Sequence, residues 1–401
     1  MKYKVLLFLI GFSINAQNIN LENKDIDQKN ETKKKWFETI NIRGYAQIRY
    51  NKLLESNPEL GCEQCDKSWG GNNSFFIRRG RIIFSGNVHD RVYFYIQPDF
   101  ASSAGTTNMV FQIRDAYFDL ALDKDKEYRL RIGQSKVPYG FENMQSSQNR
   151  LTLDRNDALN SAVSNERDLG VFFYWATKLK RELFKKLVDD GLKGSGDFGI
   201  FGFGVYNGQT ANRTEANNNQ HIATRLSYPF EFKNGQIFEA GIQAYKGKYV
   251  IQTKTTGVAT NYNSEYRDER IAASIILYPK PFGLQAEYNI GTGPEFNKTT
   301  YSIDQKRLNG GYIQATYNLK IDKNQLFPFV KYQYYTGGKK QELDARSYKV
   351  NDLEIGIEWQ PIKNFELVAD YTISKRRYED AFLLNNNQAG SLLRLQAQFN
   401  F

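Results

Sequence analysis

From residue 40 onward the chain alternates. Ile40, Ile42, Gly44, Ala46 and Ile48 interleave with Asn41, Arg43, Tyr45, Gln47 and Arg49, a period of two with one apolar and one polar face. The last residues repeat the pattern, with Leu393, Leu395, Ala397, Phe399 and Phe401 set against Arg394, Gln396, Gln398 and Asn400. Between these ends the same reading predicts strands near 39–50, 74–86, 91–99, 109–121, 127–134, 169–178, 197–206, 220–231, 236–247, 268–278, 283–291, 309–320, 326–336, 351–360, 364–375 and 390–401. Short connections at 87–90, 122–126, 232–235, 279–282, 321–325 and 361–363, one carrying the hairpin signal Asn234-Gly235, alternate with long polar ones near 51–73, 135–168, 248–267 and 292–308. Such alternation is the signature of a membrane barrel with turns at one end and loops at the other. An open sheet of this length would leave two unpaired edges, and unpaired backbone is costly in lipid. The expected fold is therefore all-β: a closed antiparallel transmembrane β-barrel of about 16 strands.

Two places depart from the pattern. Leu179 to Gly196 should be a short turn, yet it is long and sets Lys180, Arg181, Lys185 and Lys186 beside Leu183, Phe184 and Leu187; a brief amphipathic helix at the inner rim is expected. In strands 74–86 and 109–121 the period slips around Arg78, Arg79, Arg81 and Arg114, which predicts bulges that reset the register.

The N-terminus has Lys2 and Lys4, the apolar run Val5 to Ile10, and a small and polar close at Ala16-Gln17. This is a signal peptide in outline, expected over 1–16, with a polar periplasmic lead-in over 17–38 and the barrel over 39–401. No segment offers the roughly 20 apolar residues of a membrane helix. Composition agrees with a barrel: 26 Tyr, 28 Phe and 31 Gly with only 9 Pro, where a soluble domain of this length would need long buried apolar runs. The net charge of +10, two units of which leave with Lys2 and Lys4, forms no basic block that would serve as a nucleic-acid footprint.

Three stretches together resemble the phosphate-selective porin O and P family: Phe75-Phe76-Ile77-Arg78-Arg79-Gly80-Arg81, Arg131 through Gly140 (Arg-Ile-Gly-Gln-Ser-Lys-Val-Pro-Tyr-Gly), and Asn165-Glu166-Arg167-Asp168-Leu169-Gly170. A terminal Phe on an alternating strand is likewise similar to the closing signal of outer-membrane barrels. The resemblance implies sixteen strands, a homotrimer in the outer membrane of a Gram-negative bacterium, and a long third outer loop, 135–168, folded into the lumen. It also implies arginines and lysines that draw anions through, of which Lys136 and the arginines of the quoted stretches, Arg79, Arg81 and Arg131 among them, are placed by motif.

Strand parity extends that set. If the apolar positions face lipid, Arg43, Arg49, Arg129, Arg131, Arg225, Arg270, Lys331 and Arg394 point inward, and loop 135–168 adds Lys136, Arg150 and Arg155. A cationic lining offsets the lost hydration of an anion, and the guanidinium fork pairs with two phosphate oxygens. For any one of these residues, a charge pair that holds wall or loop is the commoner role. Glu354, Glu358, Glu366 and Asp370 also point inward on two late strands, which would make one basic and one acidic wall, the arrangement of a general porin of low selectivity.

Cys62 and Cys65 are the chain's two cysteines; zinc would need further soft ligands, so a loop disulfide is expected. No cofactor fingerprint is present. A barrel hydrolase would need a histidine beside Ser or Asp, for which His221, expected at a solvated rim, is the candidate. The expectation is a passive channel for small anionic solutes set in outer-membrane lipid, against the alternatives of a general porin, a hydrolase, or a plugged structural barrel.

Overall fold

The computed structural model describes residues 35–53, 60–62, 74–104 and 107–401, and counts and absences refer to these. The expected signal peptide and most of the expected lead-in lie outside them. One sheet holds β1 (Asn41–Leu53), β2 (Ser74–His89), β3 (Val92–Ala104), β4 (Thr107–Ala121), β5 (Tyr128–Lys136), β6 (Arg167–Trp175), β7 (Phe201–Tyr206), β8 (His221–Glu231) and β9 (Ile237–Val250). It continues through β10 (Glu265–Leu277), β11 (Phe282–Asn297), β12 (Ser302–Tyr317), β13 (Leu319–Ile321), β14 (Asn324–Gly338), β15 (Ser347–Ile362), β16 (Phe365–Glu379) and β17 (Asn387–Asn400). Both β12 and β13 pair with β14, so β13 continues β12 past Asn318 and the barrel has 16 strands.

Every strand pairs antiparallel with its neighbour in sequence, and β1 closes the ring on β17, from Tyr45 opposite Asn400 to Leu53 opposite Leu392. The seam explains two sequence features. Gly44 and Phe401 exchange both backbone hydrogen bonds, at 2.8 and 3.0 Å. A Cβ on Gly44 would meet the Arg81 carbonyl and the Phe401 ring at 2.5 Å, so the position needs a residue without a side chain.

The alternation has the expected physical meaning. Along β10, Ile271 and Ile275 are exposed while Arg270, Ala272 and Ser274 are buried. Apolar side chains thus face outward and polar ones inward, as a barrel in lipid requires. The strands run longer than expected beyond the apolar band: β11 continues to Asn297 and β12 begins at Ser302, so the long loop read at 292–308 is instead a projecting hairpin, held by register from Phe282–Tyr317 to Asn297–Ser302.

Two connections carry helices. Between β5 and β6, segment 137–166 contains α1 (Phe141–Met144) and α2 (Asp157–Ala162), the latter capped by the Asn156 side chain on Leu159 N–H. Between β6 and β7 lies α3 (Lys178–Asp189), the amphipathic helix expected there. Its Leu183, Phe184 and Leu187 are buried, spaced so as to share one face, in a cluster with Phe141, Leu192, Ile237, Ile276 and Tyr278.

Candidate functional site

The period slips in β2 and β4 are bulges. Gln47 faces Arg79 and Ile48 faces Ile77, leaving Arg78 as the extra residue. Gln97 faces Asp115 and Pro98 faces Ile113, leaving Arg114 extra, opposite a proline that has no N–H to offer the ladder. A bulge turns two adjacent side chains to the same side. Arg79 Nη1 donates to Gln47 Oε1 at 2.7 Å while Arg78 lies 3.8 Å from Asp154. Arg114 reaches the Asn165 carbonyl at 3.2 Å while Asp115 accepts from Arg167 at 2.8 Å. Each bulge therefore adds an arginine to the inner face that strict alternation would have sent to lipid.

Segment 137–166 meets these side chains with its own. Arg150 donates to Glu166 at 3.2 Å, and Arg155 to Asn143 Oδ1 at 2.6 Å and the Ser164 carbonyl at 2.7 Å, with Glu166 3.4 Å from its Nε. Arg81 is paired with Asp99 at 2.7 Å and donates to Tyr45 at 2.7 Å. Arg49 donates to Gln396 and the Leu153 carbonyl, each at 2.7 Å. Lys136 is held by the carbonyls of Asn143, Met144 and Gln145 at 2.8–3.1 Å. The result is a cluster of Arg49, Arg78, Arg79, Arg81, Arg114, Arg150, Arg155, Arg167 and Lys136 around only four carboxylates, Asp99, Asp115, Asp154 and Glu166. Nε of Arg78, Arg79, Arg114 and Arg150 is buried without a hydrogen-bond partner.

The loop groups titrate accordingly. Burial alone would raise Glu166, but Lys136, Arg167, Arg155 and Arg150 outweigh it and hold the carboxyl well below its usual range. Glu142 is likewise raised by burial and, against that, lowered overall by Lys331. Arg155 is pushed down to about 10 by burial, which the nearby Glu166 only partly offsets.

The other expected lumen residues are placed differently. Arg131 makes a fork on Asp119 at 2.7 and 2.8 Å and stacks 3.8 Å over Tyr117; Arg129 is bound to Asp197 at 2.7 Å; Arg225 to Glu239 at 3.1 Å. Three tie down segment 137–166: Arg270 donates to the Ala158 and Ser161 carbonyls at 3.1 and 2.9 Å, Lys331 to Glu142 at 2.6 Å, and Arg394 to Asp154 at 2.5 Å. Charge pairing, the commoner role weighed for single arginines, is thus what these six do. Arg43 is exposed and, with Arg131, Lys136, Arg167 and Lys178, Arg181 and Lys185 of α3, lines a cavity of about 610 Å³ that Asp115, Asp125, Glu182, Asp189 and Asp197 also line.

The acidic wall exists and is only partly paired, since Arg394 is shared by Glu354, Asp370 and Asp154, and Glu366 makes no ion pair among the described residues. Glu354 and Asp370 both bind Arg394, at 3.1 and 3.3 Å, and Glu358 binds Lys193, which follows α3 in the chain, at 2.5 Å. β15 and β16 are separated from β2 only by β17 and β1, so the acids stand near Arg79 and Arg81, whereas Lys136 on β5 and Arg167 on β6 lie roughly across the ring from β15. His221 is buried rather than solvated, edge-on to Tyr206 at 5.5 Å and pressed against Gly208 and Gly247; no nucleophile bonds to it among the described residues. Cys62 is disulfide-bonded, and Cys65 lies outside the described residues. Strand parity missed Arg78 and Arg114 because bulges invert it, and it missed the carboxylates Asp154, Glu166 and Glu142 because loop residues have no parity to read.

In fold the chain is similar to several solved outer-membrane proteins. The channel DcaP of Acinetobacter baumannii is 15% identical with a TM-score of 0.53, covering 90% of this chain and 97% of that one. An anion-selective porin from Comamonas acidovorans is 10% identical, TM-score 0.55, over 90% and 99%. The trimer form of OmpT of Vibrio cholerae is 10% identical, TM-score 0.52, also over 90% and 99%. No curated protein matches the sequence. The family described as phosphate-selective porin O and P matches residues 63–401. With this match over most of its length and a closed sixteen-stranded barrel, the chain belongs to the phosphate-selective porin O and P family and is an outer-membrane porin, a channel rather than an enzyme.

Proposed function

We propose that the protein is a passive, anion-preferring porin, assembled as a homotrimer, in which segment 137–166 lies in the lumen and narrows the path against β1–β6. Lys136, Arg79, Arg81, Arg150 and Arg155, joined by Arg78, Arg114 and Arg167, form the constriction. The observation that carries this reading is the cluster's excess of cations over carboxylates, with four guanidinium Nε atoms buried and unpartnered. A buried arginine with donors to spare is a strong site for an oxyanion that has shed its water. The cavity of about 610 Å³ beside Arg43, Arg131 and Lys136 is the chamber that such an anion would enter next. Arg129, Arg225, Arg270, Lys331 and Arg394, and Arg49 in part, hold the wall and the segment in place. The family name points to phosphate as the first solute to test, and the Comamonas porin of the same fold is itself anion-selective.

A general porin of low selectivity is the second reading, favoured by the pairing of Arg81, Arg167 and Arg150 with carboxylates. Reversal potentials in a KCl gradient across planar bilayers, with inorganic phosphate as blocker, separate the two. Anion preference and phosphate block that both fall in Arg79→Ala/Arg150→Ala support the first. Weak selectivity without block leaves the second, and a membrane that stays silent overturns both.

A further inference from the structure

The outward face carries a charged row where lipid is expected. Ile222 on β8, Lys246 on β9, Glu269 on β10, Thr292 on β11 and Arg307 on β12 are successive cross-strand partners, all with side chains on the outer face. From Glu269 to Leu277, where β10 ends, is one crossing of the bilayer's apolar band, which takes roughly 9–11 tilted residues. The row therefore lies at the edge of that band, at the end with the long loops, which faces outward in this class of barrel. Just beyond it Lys248 and Arg267 also point outward, and Lys248 pairs with Glu265 at 2.8 Å. Among the described residues Lys246, Arg267 and Arg307 have no side-chain partner.

Under this row the surface is hollowed. A groove of about 770 Å³ runs between β8 and β12, with Ile222, Lys246, Glu269 and Arg307 at one end and Ala244, Ile271 and Ile290 along its floor. The geometry points to a binding site for a phosphorylated glycolipid of the outer leaflet, its acyl chain in the apolar groove and its phosphates on Lys246 and Arg307, with Arg267 and Lys248 behind them. Charge complementarity selects this occupant: four cations stand against Glu265 and Glu269, and an ammonium and a guanidinium at a lipid boundary each favour an anionic headgroup. A second copy of the chain fits less well, because the centre of a protein interface is depleted in charge, whereas here charge caps the groove.

The test is native mass spectrometry of the detergent-solubilised full-length porin with bisphosphoryl lipid A and with its dephosphorylated analogue. Wild type is expected to retain the bisphosphoryl form at least tenfold more strongly, with the preference weakening as salt is raised. Lys246→Gln/Arg307→Gln should abolish that preference while single-channel conductance, governed by the inner face, stays unchanged and reports an intact barrel. Equal retention of both lipids by wild type overturns the proposal, as does an unchanged preference in the variant. A variant that loses its oligomeric state while binding lipid A as before also overturns it and assigns the groove to a second copy.

Discussion

Lys331 of β14 and Glu142 of α1, 189 positions apart in sequence, meet at 2.6 Å with both side chains buried. The same ammonium reaches Thr152 Oγ1 at 3.1 Å, so one strand residue binds the two arms of segment 137–166. Removing one member of a buried pair leaves the other charged and unsolvated, which costs about 3–5 kcal/mol. Lys331→Met should accordingly lower the thermal unfolding temperature measurably and give a larger, noisier open-channel current, since the segment loses its hold on β14. A variant with wild-type stability and quiet current would show that the remaining contacts, such as Arg394 with Asp154, suffice.

The bulges make a sharper prediction about selectivity. Deleting Arg78 restores unbroken pairing between β1 and β2 and removes one inward guanidinium without touching Arg79 or Arg81. The barrel should still fold, as shown by unaltered heat-modifiable migration, while the anion-to-cation permeability ratio falls. Replacing Arg78 by Lys keeps the bulge and the charge, and should preserve the ratio. Equal effects of deletion and Lys replacement would argue against a role for the bulge itself.

Helix α3 offers a contrast within one element. Phe184 is 1% exposed and Leu179 is 76% exposed. Phe184→Ala removes a ring from a packed cluster and should destabilise by about 3–5 kcal/mol, while Leu179→Ala should stay within about 0.5 kcal/mol. Urea titrations of the detergent-folded protein would measure both. If α3 also bounds the conducting chamber, as Lys178, Arg181 and Lys185 do around the cavity, only Phe184→Ala should raise conductance.

The barrel was legible because its physics is periodic: each strand buries one face and shows the other to lipid, so alternation alone located all sixteen strands. Closure was expected from the cost of open edges, but the Gly44–Phe401 contact that makes the seam was not. What alternation could not convey was pairing. Charge pairing was the commoner role weighed for Arg129, Arg225 and Arg394, but the pattern could not name their partners, two of which come from connections, Asp197 and Asp154. Arg114 was marked only as an irregularity, and Arg78 as an irregularity within a family-like stretch; the irregularity proved to be what carries both inward. The long loop read at 292–308 was a hairpin because strand pairing continues where lipid, and hence the strict alternation, ends.

The loop carboxylates set the acid end of the pH response. Glu142, Asp157 and Glu166 are each raised by burial and, more strongly, lowered by adjacent cations: Lys331 for Glu142, Arg376 and Lys339 for Asp157, Lys136 and Arg167 for Glu166. Their folded values lie below those of the unfolded chain, roughly 4. Such groups stabilise the fold fully above the unfolded value and lose that contribution as pH falls through the folded one. The contribution of these three groups to thermal stability and to closure of the channel should therefore be level from pH 8 to about 5 and be lost only below about pH 4. Protonating Glu166 also removes a counter-charge from the arginine cluster, so anion preference should increase over that same acid range even as the segment loosens. Reversal potentials and unfolding temperatures recorded from pH 7 to 3 would test this. A transition centred near pH 6 that Glu142→Gln or Glu166→Gln removes would mean that these carboxylates are not held ionised by their arginines and lysines.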